Sequence, residues 1–171
     1  MHNLEEIATR FVSDYEKHHN VFTTAESCTG GLISASLTAI SGSSAYFDRA
    51  FITYSNEAKH DMLQVKLPTL ERYGAVSIEV AAQMVTGALN NSQASIGVSV
   101  TGIAGPSGGS EQKPVGTVCI AFKKRSWDYA LVKCHHFTGD RAQVRNETAA
   151  RALLGLLTLS AGKELDDYIK I

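Results

Sequence analysis

The sequence predicts an α/β fold, a single layered domain with a mixed β-sheet flanked by helices. Three observations carry it. Strand-length apolar runs alternate with helix-period segments through the first half of the chain. In the second half two such runs flank one polar turn, as a hairpin does. A chain of 171 residues, 44% of them hydrophobic, is long enough for one full core and short for two, so residues 1–171 form one domain.

In order, Leu4, Ile7, Ala8, Phe11, Val12 and Tyr15 recur at helical spacing and make a first amphipathic helix that ends near His18 to Asn20. VFTTAE is a short strand. TGGLISASLTAI, from Thr29, is a second helix closed by Ser41, Gly42 and Ser43. The run Ala50 to Tyr54 is a strand, and NEAKHDML is a helix with Asn56 as its N-cap. Pro68 breaks the chain before a further short helix. Ser77 caps the helix whose stripe is Val80, Ala81, Met84, Val85, Ala88 and Leu89. ASIGVSVTG is a strand, and IAGPSGGSEQKPVG is a long glycine- and proline-rich loop. VGTVCIAFK and YALVKCHHF pair as an antiparallel hairpin about KKRSWD. A last helix runs from about Asp140 through TAARALLGLLTL, and the tail after Gly162 is peripheral. Parallel units followed by a hairpin give a mixed sheet.

Charge and composition exclude several classes. With 16 basic and 17 acidic residues the net charge is −1, and the longest like-charge block is Lys123 to Arg125, expected as a solvated turn. Duplex nucleic acid needs a concentrated basic face and is no expected partner. No apolar run is long enough to span a bilayer, and the N-terminus lacks a signal peptide's apolar core, so a cytoplasmic protein without membrane contact is expected. Cys28, Cys119 and Cys134 have no CxxC spacing, which indicates neither a disulfide framework nor a zinc ribbon; Cys119 and Cys134 are expected as core thiols. Strand alternation points His135 and His136 to opposite faces, so neither a metal site nor a cofactor is expected.

Chemistry concentrates at TAESCTGG, Thr24 to Gly31, where a strand runs into a helix. Free backbone N–H groups at such a junction hold a developing oxyanion, and Gly30 and Gly31 remove side chains where a substrate must approach. Ser27 is the candidate nucleophile; the bland alternative is that Ser27 and Thr29 only cap the helix. Strand alternation turns Cys28 away from Ser27's side. A serine needs a base. The histidines lack an orienting carboxylate, whereas Lys59, if desolvated, is neutral near neutral pH and able to accept a proton, with Tyr54 to relay or orient it. The bland alternative for Lys59 is a solvated helix lysine. Glu26 reads as structural. The long loop has neither Walker spacing nor GxGxxG, but closes over a polar ligand. Arg141 and Arg145 lie one helical turn apart and suit a phosphate, or are surface arginines.

Four segments, TAESCTGG, GSSAYFDRAFITYSNEAK, VTGIAGPSGGSEQKPVGTV and FTGDRAQVR, together resemble the CinA carboxy-terminal domain family from about Leu4 to Leu159. Its stand-alone members include bacterial nicotinamide-nucleotide amidases. The resemblance implies hydrolysis of the carboxamide of nicotinamide mononucleotide to nicotinate mononucleotide and ammonia, a salvage step, by a serine amidase mechanism without metal. It places the family's serine on Ser27, its tyrosine and lysine on Tyr54 and Lys59, its threonine before GIAGP on Thr101 and its GDR arginine on Arg141. Joined with the reading of the residues, it gives the oxyanion to the amides of Cys28, Thr29, Gly30 and Gly31 and the phosphoribose to Arg141 and the loop with Gly102 and Gly105, while Arg145 stays a phosphate candidate by its spacing to Arg141 alone. A homo-oligomer is also implied. Two other classes stay open on these residues: a catalytically silent nucleotide-binding module, and a regulatory oligomer subunit.

Overall fold

A computed structural model describes all residues, Met1–Ile171. Six strands form one mixed sheet in the order β2-β1-β3-β4-β5-β6, with helices on both faces. Their ranges are β1 Phe22–Glu26, β2 Phe47–Ile52, β3 Ile96–Gly102, β4 Thr117–Lys124, β5 Leu131–His136 and β6 Ile169–Lys170. The helices are α1 Leu4–His18, α2 Leu32–Thr38, α3 Asn56–Leu63, α4 Leu67–Tyr73, α5 Ile78–Asn90 and α6 Arg141–Ser160. β1 runs parallel to both β2 and β3, and every pairing from β3 to β6 is antiparallel, as the alternation followed by a hairpin predicts.

Period-two alternation sorts the strand side chains into two cores. Phe22, Ile96, Val98, Val100, Ile120 and Phe122 pack with Phe11 of α1, Ile33 and Leu37 of α2, and Leu153 and Leu156 of α6. On the opposite face Ala25 meets Leu63, Val80 and Met84, while Cys119, Ala121 and Val132 meet Ala81 and Val85 of α5. The chain leaves β1 over the first face through α2 to reach β2. It returns over the second face through α3, α4 and α5 to enter β3 on β1's other side. β1 is thus the switch point of the sheet, and the crevice beyond its C-terminal end is where open α/β sheets place ligands.

Five expectations are corrected. The second strand begins at Phe47 and ends at Ile52, because polar Asp48 and Arg49 are tolerated on an edge strand whose backbone pairs with β1. The cap of α3 is Ser55, whose hydroxyl accepts from Ala58 N; Asn56 is the first helical residue. Lys123 and Lys124 end β4, and Arg125 is no free turn residue: its guanidinium donates to the carbonyls of Leu89, Ser92 and Ala94 at the end of α5. The tail adds β6 to the sheet edge, with Tyr168 packed on the core and its hydroxyl 2.9 Å from His135 Nε2. Cys119 and Cys134 stand directly opposite in the hairpin and are joined as a disulfide, with Cys134 exposed, so they are not a pair of core thiols. Their facing register depends on how a six-residue polar link turns, which residue spacing alone leaves undetermined. No helix is long and apolar enough to cross a membrane.

Candidate active site

Three parallel strands end side by side and deliver the site. Ser27 follows the last residue of β1, Thr53 and Tyr54 follow β2, and Thr101 and Gly102 close β3. Lys59 sits one turn into α3, which Ser55 caps directly after β2. Ser27 shares the face of Ala25, the face that α3 covers, so its hydroxyl meets Lys59 from below.

Lys59 is buried at 1% exposure, with Nζ 3.0 Å from Ser27 Oγ. The same nitrogen reaches the carbonyl oxygens of Thr53 at 3.0 Å, Tyr54 at 3.4 Å and Ser55 at 3.5 Å. Burial pulls the lysine below its ordinary range, because the ammonium loses its water; the Cys28 thiolate, were it formed, would oppose this. A neutral amine has two N–H donors and one lone pair. The carbonyls beyond β2 take the donors, which leaves the lone pair to accept from the Ser27 O–H. Cys28 is buried on the opposite side among the α1, α2 and α6 side chains, and burial pushes its thiol up to about 11. It is a thiol at neutral pH and a poor nucleophile.

The turn between β1 and α2 is held by Glu26. This fully buried carboxylate accepts from the hydroxyls of Thr24 (3.2 Å) and Thr29 (2.7 Å) and from the amides of Gly31 (3.0 Å), Ile33 (3.1 Å) and Ser34 (2.8 Å). The sequence identifies it only as structural. Gly31, at φ 100°, is the N-cap of α2 and has no side chain to cap with, so the carboxylate of the preceding strand does it. The Ser27 amide donates to Val100 O and the Gly30 amide to Ser27 O. Of the four amides expected for an oxyanion, Gly30 and Gly31 are therefore occupied, while Cys28 and Thr29 donate to no oxygen of the chain, the Cys28 amide lying beside only its own sulfur.

Ser27, Cys28, Tyr54, Lys59, Thr101, Gly102 and Arg141 line one cavity of about 190 Å³, together with Asn56, Ala75, Val76 and Ala104. Arg141, the first residue of α6, donates to Gly105 O at 2.7 Å and to the Tyr54 hydroxyl at 3.2 Å, at the exposed mouth. Tyr54 thus touches Lys59 through its carbonyl, while its 64% exposed side chain stands on Arg141. The Thr101 hydroxyl donates to Ala75 O and fixes the loop that forms the far wall. Gly102 is required by close approach: a Cβ there would lie 2.6 Å from Val118 Cγ2. Thr29, Gly30, Gly31, Gly105 and Arg145 do not line this cavity, and Arg145 donates to Thr29 O at 2.8 Å. The carbonyls of Thr53 to Ser55 and the wall residues Asn56, Ala75, Val76 and Ala104 escaped the sequence, since no residue-type signal marks a carbonyl that turns inward.

The CinA C-terminal domain profile matches residues 4–160. The chain belongs to the CinA C-terminal domain family. Among its relatives, the nicotinamide-nucleotide amidohydrolase PncC of Enterobacter agglomerans is 53% identical over 131 residues, 77% of this chain and 79% of that protein. The protein of the same name from Escherichia coli K12 is 51% identical over the same shares. In structure, the competence/damage inducible protein CihA from Agrobacterium tumefaciens superposes with a TM-score of 0.86 at 47% identity, covering 93% of this chain and 96% of that one. The family match begins at Leu4 and ends at Ser160, so β6 and the tail before it lie outside it.

Proposed function

We propose that this CinA-family chain is a nicotinamide-nucleotide amidohydrolase that converts nicotinamide mononucleotide to nicotinate mononucleotide and ammonia in pyridine nucleotide salvage. The observation that carries the chemistry is the fully buried Lys59 amine 3.0 Å from the Ser27 hydroxyl. The names of the relatives supply the substrate class.

Neutral Lys59 takes the Ser27 proton as Oγ attacks the amide carbon, and the Cys28 amide, next to the nucleophile, receives the oxyanion. The Lys59 ammonium then protonates the departing nitrogen, ammonia leaves, and an ester on Ser27 remains. Lys59, neutral again, draws a proton from water as it attacks the ester, then returns that proton to the departing Ser27 Oγ, which frees the nicotinate and restores both residues. Before the attack, the Thr53 and Tyr54 carbonyls take the N–H donors of the neutral amine and so aim its lone pair at the serine. A cavity of about 190 Å³ suits the pyridine carboxamide alone, so the phosphoribose extends over the mouth, where Tyr54 and Arg141 stand. The tyrosine hydroxyl acts there by orienting Arg141. A cytoplasmic setting and self-association belong to the same proposal, the second resting on the family resemblance. Ammonia release from nicotinamide mononucleotide, with free nicotinamide and NAD as comparators, tests the assignment. Preference for the mononucleotide is expected, and equal rates on free nicotinamide would remove the role given to Arg141.

A further inference from the structure

Glu26 makes none of the proton transfers above, yet no other carboxylate of the chain is so fully enclosed or so heavily bonded. Burying a carboxylate is costly unless every lone pair is met. No lysine, arginine or histidine forms an ion pair with this one, and its charge is met by two hydroxyls and three amides alone. A seven-residue helix needs nothing so elaborate, because a serine or asparagine at its N-cap would serve. What the carboxylate adds is connection. It belongs to β1, directly before the nucleophile, and it ties Gly31, Ile33 and Ser34 back to that strand, closing the turn into a ring with Ser27 at its base.

The same turn is gripped from outside. Arg145 of α6 donates to the Thr29 carbonyl at 2.8 Å, while the Thr29 hydroxyl points inward to Glu26 at 2.7 Å. The residue after Cys28 is thereby fixed at both its side chain and its carbonyl. The Gly30 and Gly31 amides are spent within the ring. The Cys28 and Thr29 amides are left without an oxygen acceptor, and of the two residues Cys28 is the one that lines the cavity.

We propose that Glu26 and Arg145 are positioning residues which, by clamping Thr29 from opposite sides, set the Cys28 amide where the oxyanion of the acylation step forms. The proposal rests on the serine mechanism given above. It assigns Arg145 to the turn and leaves the phosphate to Arg141. Glu26 has no part in proton transfer, since it has no surface in the cavity and five donors occupy its oxygens. A donor misplaced by about 1 Å is worth up to about a hundredfold in rate, and the loss falls on the transition state and spares the bound substrate.

The test compares the unmodified protein with Glu26→Gln, Thr29→Val and Arg145→Ala in two assays. One is steady-state ammonia release from nicotinamide mononucleotide; the other is acylation of Ser27 by p-nitrophenyl acetate, which needs the nucleophile and the oxyanion amide but no phosphoribose. Folded fraction is normalised by circular dichroism. We expect kcat and the acylation rate to fall together, about thirtyfold or more for Glu26→Gln and about tenfold for the other two. KM stays within threefold, and the midpoint of the Lys59-dependent pH profile is unchanged. Thr29→Val removes one donor without touching the buried charge, so the clamp stays testable if Glu26→Gln does not fold. Unchanged acylation in the folded variants overturns the proposal, as does a rise in KM at constant kcat or a shifted pH midpoint, which would mean action through Lys59. A protein that is acylated but releases no ammonia loses the substrate assignment and leaves the clamp under test through the ester. A protein that does neither loses both.

Discussion

Lys59 is a base only in its neutral form, and burial, which disfavours the ammonium, is what makes that form available; once two N–H groups are given to the carbonyls, the lone pair of the neutral amine faces Ser27. The folded value lies below the ordinary lysine value of 10.5. Activity is therefore expected to rise with pH through a midpoint below that value, and kcat/KM measured against pH checks it. The sign for stability is the same. Between the folded and unfolded values the unfolded chain holds a proton that the folded chain has released, so Lys59's contribution to stability rises with pH across that interval. Lys59→Arg, with a guanidinium that does not deprotonate, is expected to lose at least about a hundredfold in kcat and the basic limb with it. For Cys28 the expectation is inertness: with its thiol pushed up to about 11, iodoacetamide at pH 7.5 leaves ammonia release intact. Rapid loss of activity would bring the thiol back as nucleophile. At this scale the pattern of residue types pointed to Ser27, and to Lys59 only with the family resemblance added, but the three carbonyls on Nζ and the three amides on Glu26 were invisible in it, because backbone groups carry no letter.

Elements matter here mainly through their ends. α3 begins directly after β2 because Ser55 caps it, and that short link is what turns three successive carbonyls toward one amine. α6 begins with a capping box between Asp140 and Gln143, which places Arg141 at the first helical position beside Gly105 and Tyr54. The end of α5 is capped from another element, by Arg125 after β4. Arg125→Ala is expected to cost about 2 kcal/mol, since three carbonyls lose charge-assisted partners at once. In thermal denaturation that is a fall in Tm of about 4–8 °C with kcat unchanged. A fall under about 1 °C would make the guanidinium a solvated bystander. Periodicity made α1, α5 and α6 legible, since each has one apolar face over several turns. It misplaced β2 by three residues at its start and passed over β6, because an edge strand and a two-residue strand have too little burial to leave an alternating pattern.

The whole molecule is a sheet that changes direction at β1. Two parallel crossovers over opposite faces bring the ends of β1, β2 and β3 together, and β4, β5 and β6 continue the sheet without lining the cavity. The order of strands was not legible in the sequence, which showed parallel units and a hairpin but not that β2 and β3 flank β1. That order is what makes one site of residues as far apart as Ser27, Lys59, Thr101 and Arg141. The central claim is that Ser27 performs the nucleophilic attack within this site. Its most direct test is ammonia release from nicotinamide mononucleotide by Ser27→Ala beside the unmodified protein. Removal of the nucleophile is predicted to lower kcat by at least about a thousandfold, with the thermal transition preserved. Turnover by Ser27→Ala within tenfold of the unmodified protein would contradict the account.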